Sequence, residues 1–415
     1  MKTLKFILAG CLVFIGIGVV GTGVTLGEMY KTNQMTFEIK DEKDLKATAL
    51  EDIYINSDVP VRIMPTEGKP YVTFDASGNG VIFPEPKYEL QVTSEGTTSH
   101  INLKQTQSSE IYLFSSDWNK ELVVYLPEKD IETLQVKINE NYYNGRDSLT
   151  LASKSNIKNL SLNANRIDLN LDGGYNKIDI NTSGGSVNIQ SNTPAQVQIN
   201  GGAKTVLKGQ LTTVDIVNGD NDIDINSDIE AKVNIQAGYG NINIDGKLSE
   251  LTVKSYGNEI NVNSSTPYNT TISTSETTDV KLKGMIENAM VEGYEGDVKL
   301  YPTNTPKRIE ILGENIDVHA VLPENISGFE IKKRTQYEEV VYEQGYENDV
   351  YSNREQTVQE NHIYVEHDPS DNNNMYIDFK VKSENLSNGL KRIYYGDEAM
   401  KMFIDAPYGS MYITK

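Results

Sequence analysis

The chain is poor in the residues on which disulfide, thiol and metal chemistry depends. Its 415 residues include one cysteine, four histidines and one tryptophan. With Cys11 as the only cysteine, no internal disulfide can form. The histidines form no His-Glu-x-x-His motif, and no Gly-x-Ser-x-Gly turn offers a serine nucleophile. These absences favour a protein that is not an enzyme and that holds no cofactor.

The chain also has few basic residues relative to its acidic ones. The chain has 38 lysine and arginine residues against 59 aspartate and glutamate residues, which gives a formal net charge of −21. Because nucleic-acid backbones need a basic surface, we expect no nucleic-acid partner. Such an acidic excess keeps a protein soluble and repels anionic polymers, so most of these carboxylates are expected on a solvated surface.

Calcium-binding aspartates are missing from the glycine turns where a β-roll would need them. When the Gly-Gly-x-Gly-x-Asp motif of such rolls is laid on two glycine turns, its aspartate position falls on Ile178 and on Ile242. The sequence therefore predicts no metal site. A single incidental cation near Asp220, Asp222 and Asp224 stays open as an alternative.

A long segment without charge lies near the amino end. It runs from Phe6 to Leu26, which is 21 residues, and it follows Lys2 and Lys5. A helix of that length spans about 30 Å, enough to cross a bilayer, and the lysines hold its amino end inside the cell. Residues 1–27 are therefore predicted to be a signal-anchor transmembrane helix. The protein would lie in the cell membrane, single-pass, with its C-terminal region extracellular. A cleaved signal peptide and a lipoprotein attached at Cys11 are the alternatives.

The strongest pattern in the chain is an apolar-polar-apolar triplet that recurs about every nine residues between Leu149 and Ile331. Alternate triplets form two classes. One class ends at Ile216, Ile235, Val253, Ile272, Val291 and Ile311, and the other at Ile225, Ile244, Val262, Leu282, Leu300 and Val318. Period-two alternation indicates short strands with one buried face, and a fixed repeat of strands indicates a stacked solenoid. The predicted fold is all-β, a parallel β-solenoid of about 19 residues and two strands per coil.

Changes in this pattern predict six regions. They are a membrane anchor at 1–27, a stalk at 28–50, an irregular β cap at 51–141, the β-solenoid at 142–334, an acidic tyrosine-rich insertion at 335–370, and final strands with a C-terminal cap at 371–415. The cap is expected to seal the first coil, because an open solenoid end exposes strand edges. The insertion is interpreted as a tolerated loop, with a projecting binding loop as the alternative.

Three tyrosines occupy equivalent glycine-containing corners of the repeat. Tyr239, Tyr256 and Tyr294 are separated by 17 and 38 residues, close to one and two coils. We expect them to lie in a row on one edge, where aromatic faces stack on sugar rings or on a partner's apolar patch. Stacking on each other for structural reasons is the competing interpretation. Outward asparagines such as Asn234, Asn243 and Asn261 are expected to pair along the stack.

The order of these segments resembles the adhesin-type, β-strand-repeat family of bacterial cell-surface proteins. The resemblance lies in the Leu-Pro strand that ends at Pro127 and in the repeated turns over residues 238–244, 255–262 and 407–413. It implies a right-handed β-solenoid with a surface or adhesive role, and it supplies no catalytic residues. Export without disulfides favours a Gram-positive source.

These patterns together predict a membrane-anchored extracellular β-solenoid that acts as an adhesin or as a binding scaffold at the cell envelope. Its expected partner is a cell-wall or host glycan or a surface protein. Two alternatives stay open. One is an envelope-stress sensing or regulatory accessory protein, and the other is a polysaccharide lyase or hydrolase that uses outward Asp179, Asp215 and Asp224.

Overall fold

The computed structural model describes residues 36–46, 50–79, 81–83, 85–108, 111–113, 118–139, 148–219, 222–257, 259–277, 279–334, 359–364, 375–386, 390–397 and 399–414. Every helix or strand within these residues is a β-strand, as the sequence predicts. The chain divides into two compact units. One consists of Met1–Glu128 and Val136–Thr150, and the other of Lys129–Gln135 and Leu151–Lys415.

The first unit combines parallel strand pairs with antiparallel hairpins. Its strands are β1 (Thr36–Asp44), β2 (Asp52–Ser57), β3 (Val61–Thr66), β4 (Tyr71–Asn79), β5 (Val81–Phe83), β6 (Lys87–Glu95), β7 (Thr98–Gln107), β8 (Ile111–Leu113) and β9 (Trp118–Pro127). Two further strands, β10 (Ile131–Ile138) and β11 (Leu149–Ser153), contain the unit boundaries. Ile55 of β2 pairs in parallel with Ile101 of β7, and Ile63 of β3 pairs in parallel with Val124 of β9. The four side chains are buried, so even this irregular segment has solenoid-like pairs at its core.

Strand β1 lies inside the 28–50 segment that the sequence analysis assigns to a stalk. It pairs antiparallel with β4 over nine residues, from Thr36 opposite Asn79 to Asp44 opposite Tyr71. This segment is charged and has little apolar periodicity, and it is held as a strand by the main-chain hydrogen bonds to β4. Propensity alone gives no signal for such a strand, because its conformation depends on a pairing partner elsewhere in the chain.

The second unit consists mainly of strands that pair in parallel, with antiparallel pairs near its carboxyl end. Its strands are β12 (Ile157–Asn163), β13 (Arg166–Gly173), β14 (Tyr175–Thr182), β15 (Gly184–Gly201), β16 (Lys204–Val217), β17 (Ile223–Gln236), β18 (Ile242–Ser255), β19 (Glu259–Thr274), β20 (Asp279–Glu292), β21 (Glu295–Pro302), β22 (Arg308–Leu312), β23 (Asn315–Val321), β24 (Gly328–Arg334), β25 (Gln359–Tyr364), β26 (Met375–Leu386), β27 (Leu390–Gly396), β28 (Met400–Asp405) and β29 (Met411–Thr414). Along β15 to β20, buried and exposed side chains alternate, which places the predicted Ile and Val pairs inside.

The strand register confirms the predicted coil length. Ile216, Ile235, Val253, Ile272, Val291 and Ile311 pair with one another in that order, in parallel. In the other class, Leu300 pairs with Ala320 rather than with the predicted Val318. The reason is local, because the turn after Pro302 has two more residues than the equivalent turn after Gly284. The right-handed winding stays a prediction.

Each coil has two strand segments, which we call its first and second arms. Serines and glycines alternate, from coil to coil, at the bend between these two arms. Ser191, Gly209, Ser227, Gly246, Ser264 and Gly284 follow one another in register. The three glycines have φ between +92° and +107°, and a Cβ on any of them would come within 2.2 Å of a serine carbonyl oxygen. The serines are buried, and each hydroxyl donates to the carbonyl two residues on, at 2.7 to 2.9 Å. The bend therefore needs glycine in one coil and a self-satisfied serine in the next.

The solenoid continues beyond the insertion as if the insertion were absent. Ile311 pairs with Ile404, and Ala320 pairs with Ile413, across 93 residues in both cases. Strand β25 lies in the predicted insertion and pairs antiparallel with β26, while 335–358 and 365–374 lie outside the described residues. The register between neighbouring coils is therefore kept even where several coil lengths of sequence separate the paired strands.

The predicted membrane localisation needs correction. No helix in the described part of the chain is long and apolar enough to cross a bilayer. This finding contradicts the predicted localisation as a single-pass cell-membrane protein with an extracellular C-terminal region. Residues 1–27, on which it depended, lie outside the described residues.

A tyrosine-lined corner and its cleft as the candidate functional site

The second corner of each coil, which follows the second arm, carries the predicted tyrosines. Main-chain hydrogen bonds stack these corners. The amide of Glu276 donates to Tyr256 O at 2.7 Å, and the amides of Glu314 and Tyr408 donate to Tyr294 O and Glu314 O at 3.1 Å. We call this row the corner column, and it consists of Tyr239, Tyr256, Glu276, Tyr294, Glu314 and Tyr408. Tyrosines therefore occupy four of six consecutive coils.

The four tyrosines of the corner column are all half-exposed. Their relative exposures are 46% for Tyr239, 59% for Tyr256, 54% for Tyr294 and 50% for Tyr408. A tyrosine needed only for the core would be buried, as Tyr175 and Tyr268 are. Tyr408 was missed as a site residue because the insertion separates it from the repeat. Its Pro-Tyr-Gly turn was the available signal.

Two of the predicted residues touch, and the third is set apart. The rings of Tyr239 and Tyr256 stack with centroids 6.2 Å apart and an interplanar angle of 29°. The phenol of Tyr239 also donates to Glu276 Oε2 at 3.0 Å. Tyr294 follows on the far side of Glu276. The corner therefore combines mutual stacking with an exposed aromatic face, so both interpretations of the sequence apply to the same residues.

A cleft lies beside the first two tyrosines. It encloses about 540 Å³, and its walls include Val217, Gln236, Tyr239, Lys254 and Tyr256. Val217 is 48% exposed, which is unusual for a valine at the end of a solenoid arm. The cleft thus offers apolar and aromatic surface next to an amide and an ammonium group. Such a mixture is typical of small-ligand sites.

Two buried polar atoms belong to residues of the same cleft. Asn218 and Ser255 are each 7% exposed and contribute to its walls. Asn218 Oδ1 and Ser255 Oγ have no hydrogen-bond partner among the described residues. The other end of the Asn218 amide donates from Nδ2 to Ala203 O at 3.0 Å. Sequence reasoning gave no hint of either atom, because their burial depends on the neighbouring coils.

The buried tyrosines of the second unit differ electrostatically from the corner tyrosines. Burial raises the pKa of Tyr175, with a smaller contribution from the charge of Asp172, and burial alone raises the pKa of Tyr268. Tyr268 OH donates to Lys283 O at 3.2 Å, whereas Tyr175 OH has no partner among the described residues. Both phenols stay neutral over the physiological range, so they are structural groups.

The outward asparagines pair along the stack, as predicted. Asn234 donates to Asp215 at 3.4 Å, Asn243 to Asp224 at 2.9 Å, and Asn261 to Asn243 at 3.2 Å. Asp215 and Asp224, which the lyase or hydrolase alternative would need, are acceptors in these ladders. Asp179 accepts from Asn181 at 3.4 Å. These carboxylates thus have structural partners within the solenoid.

Metal ligands do not converge in the part of the chain that the structure describes. No group of three or more His, Cys, Asp or Glu side chains there could hold a metal ion. Of the three aspartates considered for an incidental cation, Asp220 lies outside the described residues.

A model of a known protein family matches part of the chain. The model of the family described as Toastrack DUF4097 matches residues 50–247, just under half of the chain. This match confirms the resemblance to an adhesin-like family of β-strand repeats. None of the curated proteins compared matches the chain.

One solved structure comparable to the chain is a "putative cell adhesion protein" from Clostridium sporogenes ATCC 15579. It is 11% identical, and the alignment covers 91% of this chain and 99% of that chain, with a TM-score of 0.17. A TM-score this low carries no argument about the fold or the function.

Proposed function

We propose that this chain, which carries a Toastrack DUF4097 domain over residues 50–247, is a non-catalytic, adhesin-like binding protein. The corner column is its attachment surface, and its partner is a glycan or an apolar patch on a surface protein. The observation that carries the proposal is the row of half-exposed tyrosines at equivalent corners. The proposal includes a right-handed winding, the hand that parallel β crossovers adopt in nearly all proteins.

The regular spacing of the corner column suits an extended partner. Successive coils in a parallel sheet lie about 4.8 Å apart, so the tyrosines recur at small multiples of that distance. An aromatic face stacked on a sugar or on another ring contributes roughly 0.5 to 1.5 kcal/mol. A linear polymer that lies along the column would contact several rings at once, and the individual contributions would combine without further loss of freedom.

Catalysis is not part of the proposal. A glycosidase needs two carboxyl groups about 5 to 9.5 Å apart across the scissile bond, held ready for proton transfer. The outward aspartates considered for that role accept hydrogen bonds from asparagine neighbours instead. A solenoid with hydrogen-bonded asparagines and aspartates on its faces and exposed tyrosine rings along one edge is better suited to binding than to catalysis.

A glycan array and a surface-protein array, both probed with the full chain, test the proposal. The triple variant Tyr239→Ala, Tyr256→Ala, Tyr294→Ala should lose at least about tenfold in affinity, since three stacking contacts disappear. Tyr301→Ala is the matched control, because Tyr301 lies on an outer face beside Lys281 and Lys283. Equal binding by wild type and triple variant would overturn the proposal. Release of reducing or unsaturated ends would favour a lyase or hydrolase.

A further inference from the structure

The outward face of the first arm changes in charge at β20. Two positions of this arm carry only Asp or Asn in three successive coils and lysine in the fourth. They run Asp224, Asn243, Asn261 and Lys281, and Asn226, Asp245, Asn263 and Lys283. The same two positions in β21 are Lys299 and Tyr301. This face therefore gains a group of basic side chains in an acidic protein, and we call Lys281, Lys283, Lys299 and Tyr301 the lysine patch.

Two ammonium groups of the lysine patch converge on one aromatic ring. Lys281 Nζ lies 5.8 Å and Lys283 Nζ lies 5.5 Å from the centroid of the Tyr301 ring. Within the described part of the chain, neither lysine forms an ion pair with a carboxylate, whereas Asp297 accepts from Lys299 Nζ at 2.9 Å. Like charges that converge without a counter-ion repel each other. An anion bound by both lysines would relieve that repulsion.

The net charge of −21 does not prevent an anion from binding at the lysine patch. At physiological ionic strength the Debye length is about 8 Å, so charges farther away than that are largely screened. The three lysines occupy adjacent coils, about 4.8 Å apart. The distant carboxylates therefore slow the approach of a polyanion, and the lysines govern its affinity once it lies against them.

Lysines without an arginine favour phosphate as the bound group. An ammonium group binds phosphate as a point charge, whereas the planar fork of arginine matches a carboxylate through two parallel hydrogen bonds. The positions of Lys281 and Lys283 lie about 7 Å apart along the strand, and Lys299 follows Lys281 in the next coil. Such a group of cations has room for successive phosphates of a flexible chain.

The rings on the same face disfavour a nucleic acid. Single-stranded nucleic acids bind by stacking their bases on open aromatic faces. Here the rings of His319 and Tyr412 stack on each other, with centroids 4.8 Å apart and an interplanar angle of 8°. The Tyr301 ring faces two ammonium groups. The chemistry that fits this face is a phosphodiester chain without bases.

We propose that the lysine patch binds an anionic polymer of polyol units joined by phosphodiesters. Lys281 and Lys283 hold one phosphate together, and Lys299 contacts the next. The inference goes beyond the proposed function, because none of these residues belongs to the corner column. It gives the protein a second ligand chemistry on a second surface.

Calorimetric titration of the full chain with poly(glycerol phosphate) tests the inference. The wild type should bind, and its affinity should fall about 5- to 20-fold between about 50 mM and about 200 mM salt, as expected for two or three phosphate contacts. The double variant Lys281→Gln, Lys283→Gln should bind about 5- to 20-fold more weakly than the wild type. Its fold should be unharmed, because both side chains lie on an outer face.

The control is the double variant Lys208→Gln, Lys232→Gln, which removes the same charge elsewhere. Lys208 lies on the same arm between Gln190 and Asn226, and Lys232 pairs with Glu250 at 2.7 Å. This variant should bind like the wild type. No binding of poly(glycerol phosphate) by the wild type, or an equal loss in both double variants, would overturn the inference.

Two further comparisons separate the lysine patch from other binding modes. Polygalacturonate and an oligodeoxythymidylate of matched charge should bind at least about fivefold more weakly than poly(glycerol phosphate), and equal or tighter binding of either would overturn the inference. The triple variant Tyr239→Ala, Tyr256→Ala, Tyr294→Ala should bind poly(glycerol phosphate) like the wild type. A loss there would assign this polymer to the corner column and overturn the inference, while the proposed function would stand.

Discussion

Tyr239 donates a 3.0 Å hydrogen bond from its phenol oxygen to the carboxylate of Glu276, two coils farther along the corner column. The bond spans the intervening coil and holds the ring over Gly257, where a built Cβ would lie 3.5 Å from Tyr239 Cε1. The aromatic surface is therefore ordered before any partner arrives, which lowers the entropy cost of binding.

Removal of the Glu276 carboxylate should loosen the Tyr239 ring. We expect Glu276→Ala to weaken binding of a polymeric ligand about two- to fivefold, because the ring must be ordered at the cost of binding free energy. Titration calorimetry against the best ligand of the glycan array measures the change. Glu314→Ala is the matched control at the other glutamate of the column. An equal loss in both variants would show that general charge, and not the ring contact, is responsible.

The paired glycines at the start of β15 should differ sharply in their tolerance of alanine. Gly185 has φ +109°, and a Cβ there would lie 1.9 Å from Ile167 O. Gly185→Ala should therefore lower the free energy of unfolding by roughly 2 to 4 kcal/mol. At Gly184 the closest atom to a built Cβ is 3.9 Å away, so Gly184→Ala should change stability by less than about 0.5 kcal/mol. Urea unfolding measures both, and similar losses would contradict the close approach of Gly185 to Ile167.

The buried hydroxyl of Tyr175 is predicted to destabilise the solenoid. It has no partner among the described residues, and its ring is fully buried. Tyr175→Phe should raise the free energy of unfolding by about 1 to 3 kcal/mol, since the cost of an unpaired hydroxyl disappears. Tyr268→Phe is the comparison, because it removes a 3.2 Å bond to Lys283 O and should cost about 0.5 to 1.5 kcal/mol. A loss of stability in Tyr175→Phe would contradict the prediction.

Alkaline pH should lower the stability of the protein through these two tyrosines. Burial raises the pKa of Tyr175 and of Tyr268 above the usual 10.0, so the folded state keeps protons that the unfolded state releases. Ionisation of the two phenols leaves the free energy of unfolding unchanged below about pH 10 and lowers it progressively as the pH rises above that value. Urea unfolding at about pH 9 and about pH 11 should show this fall, and it should be smaller in the double variant Tyr175→Phe, Tyr268→Phe. An identical fall in both proteins would contradict it.

The strand register of the second arm shows which pairings the sequence pattern can predict. Ile216, Ile235, Val253, Ile272, Val291 and Ile311 were placed one coil apart from their spacing, and they pair in that order. Val318 was misplaced by two residues, because the longer turn after Pro302 looks like any other polar stretch. Tyr239, Tyr256 and Tyr294 were found by their glycine corners. Asn218 and Ser255 were not, because nothing in their flanking sequence distinguishes a paired side chain from an unpaired one.

Alternation of apolar and polar residues, with a repeat near 19, determined by itself which side chains face inward and how long a coil is. These properties are local, because a strand's two faces and a turn's length depend on adjacent residues. The tertiary structure alone decided that Tyr239 reaches Glu276, two coils farther along the corner column. It also decided that two polar atoms stay unpaired beside them. Such relations depend on how separate coils align, and main-chain hydrogen bonding between distant segments sets that alignment without leaving a mark on either segment.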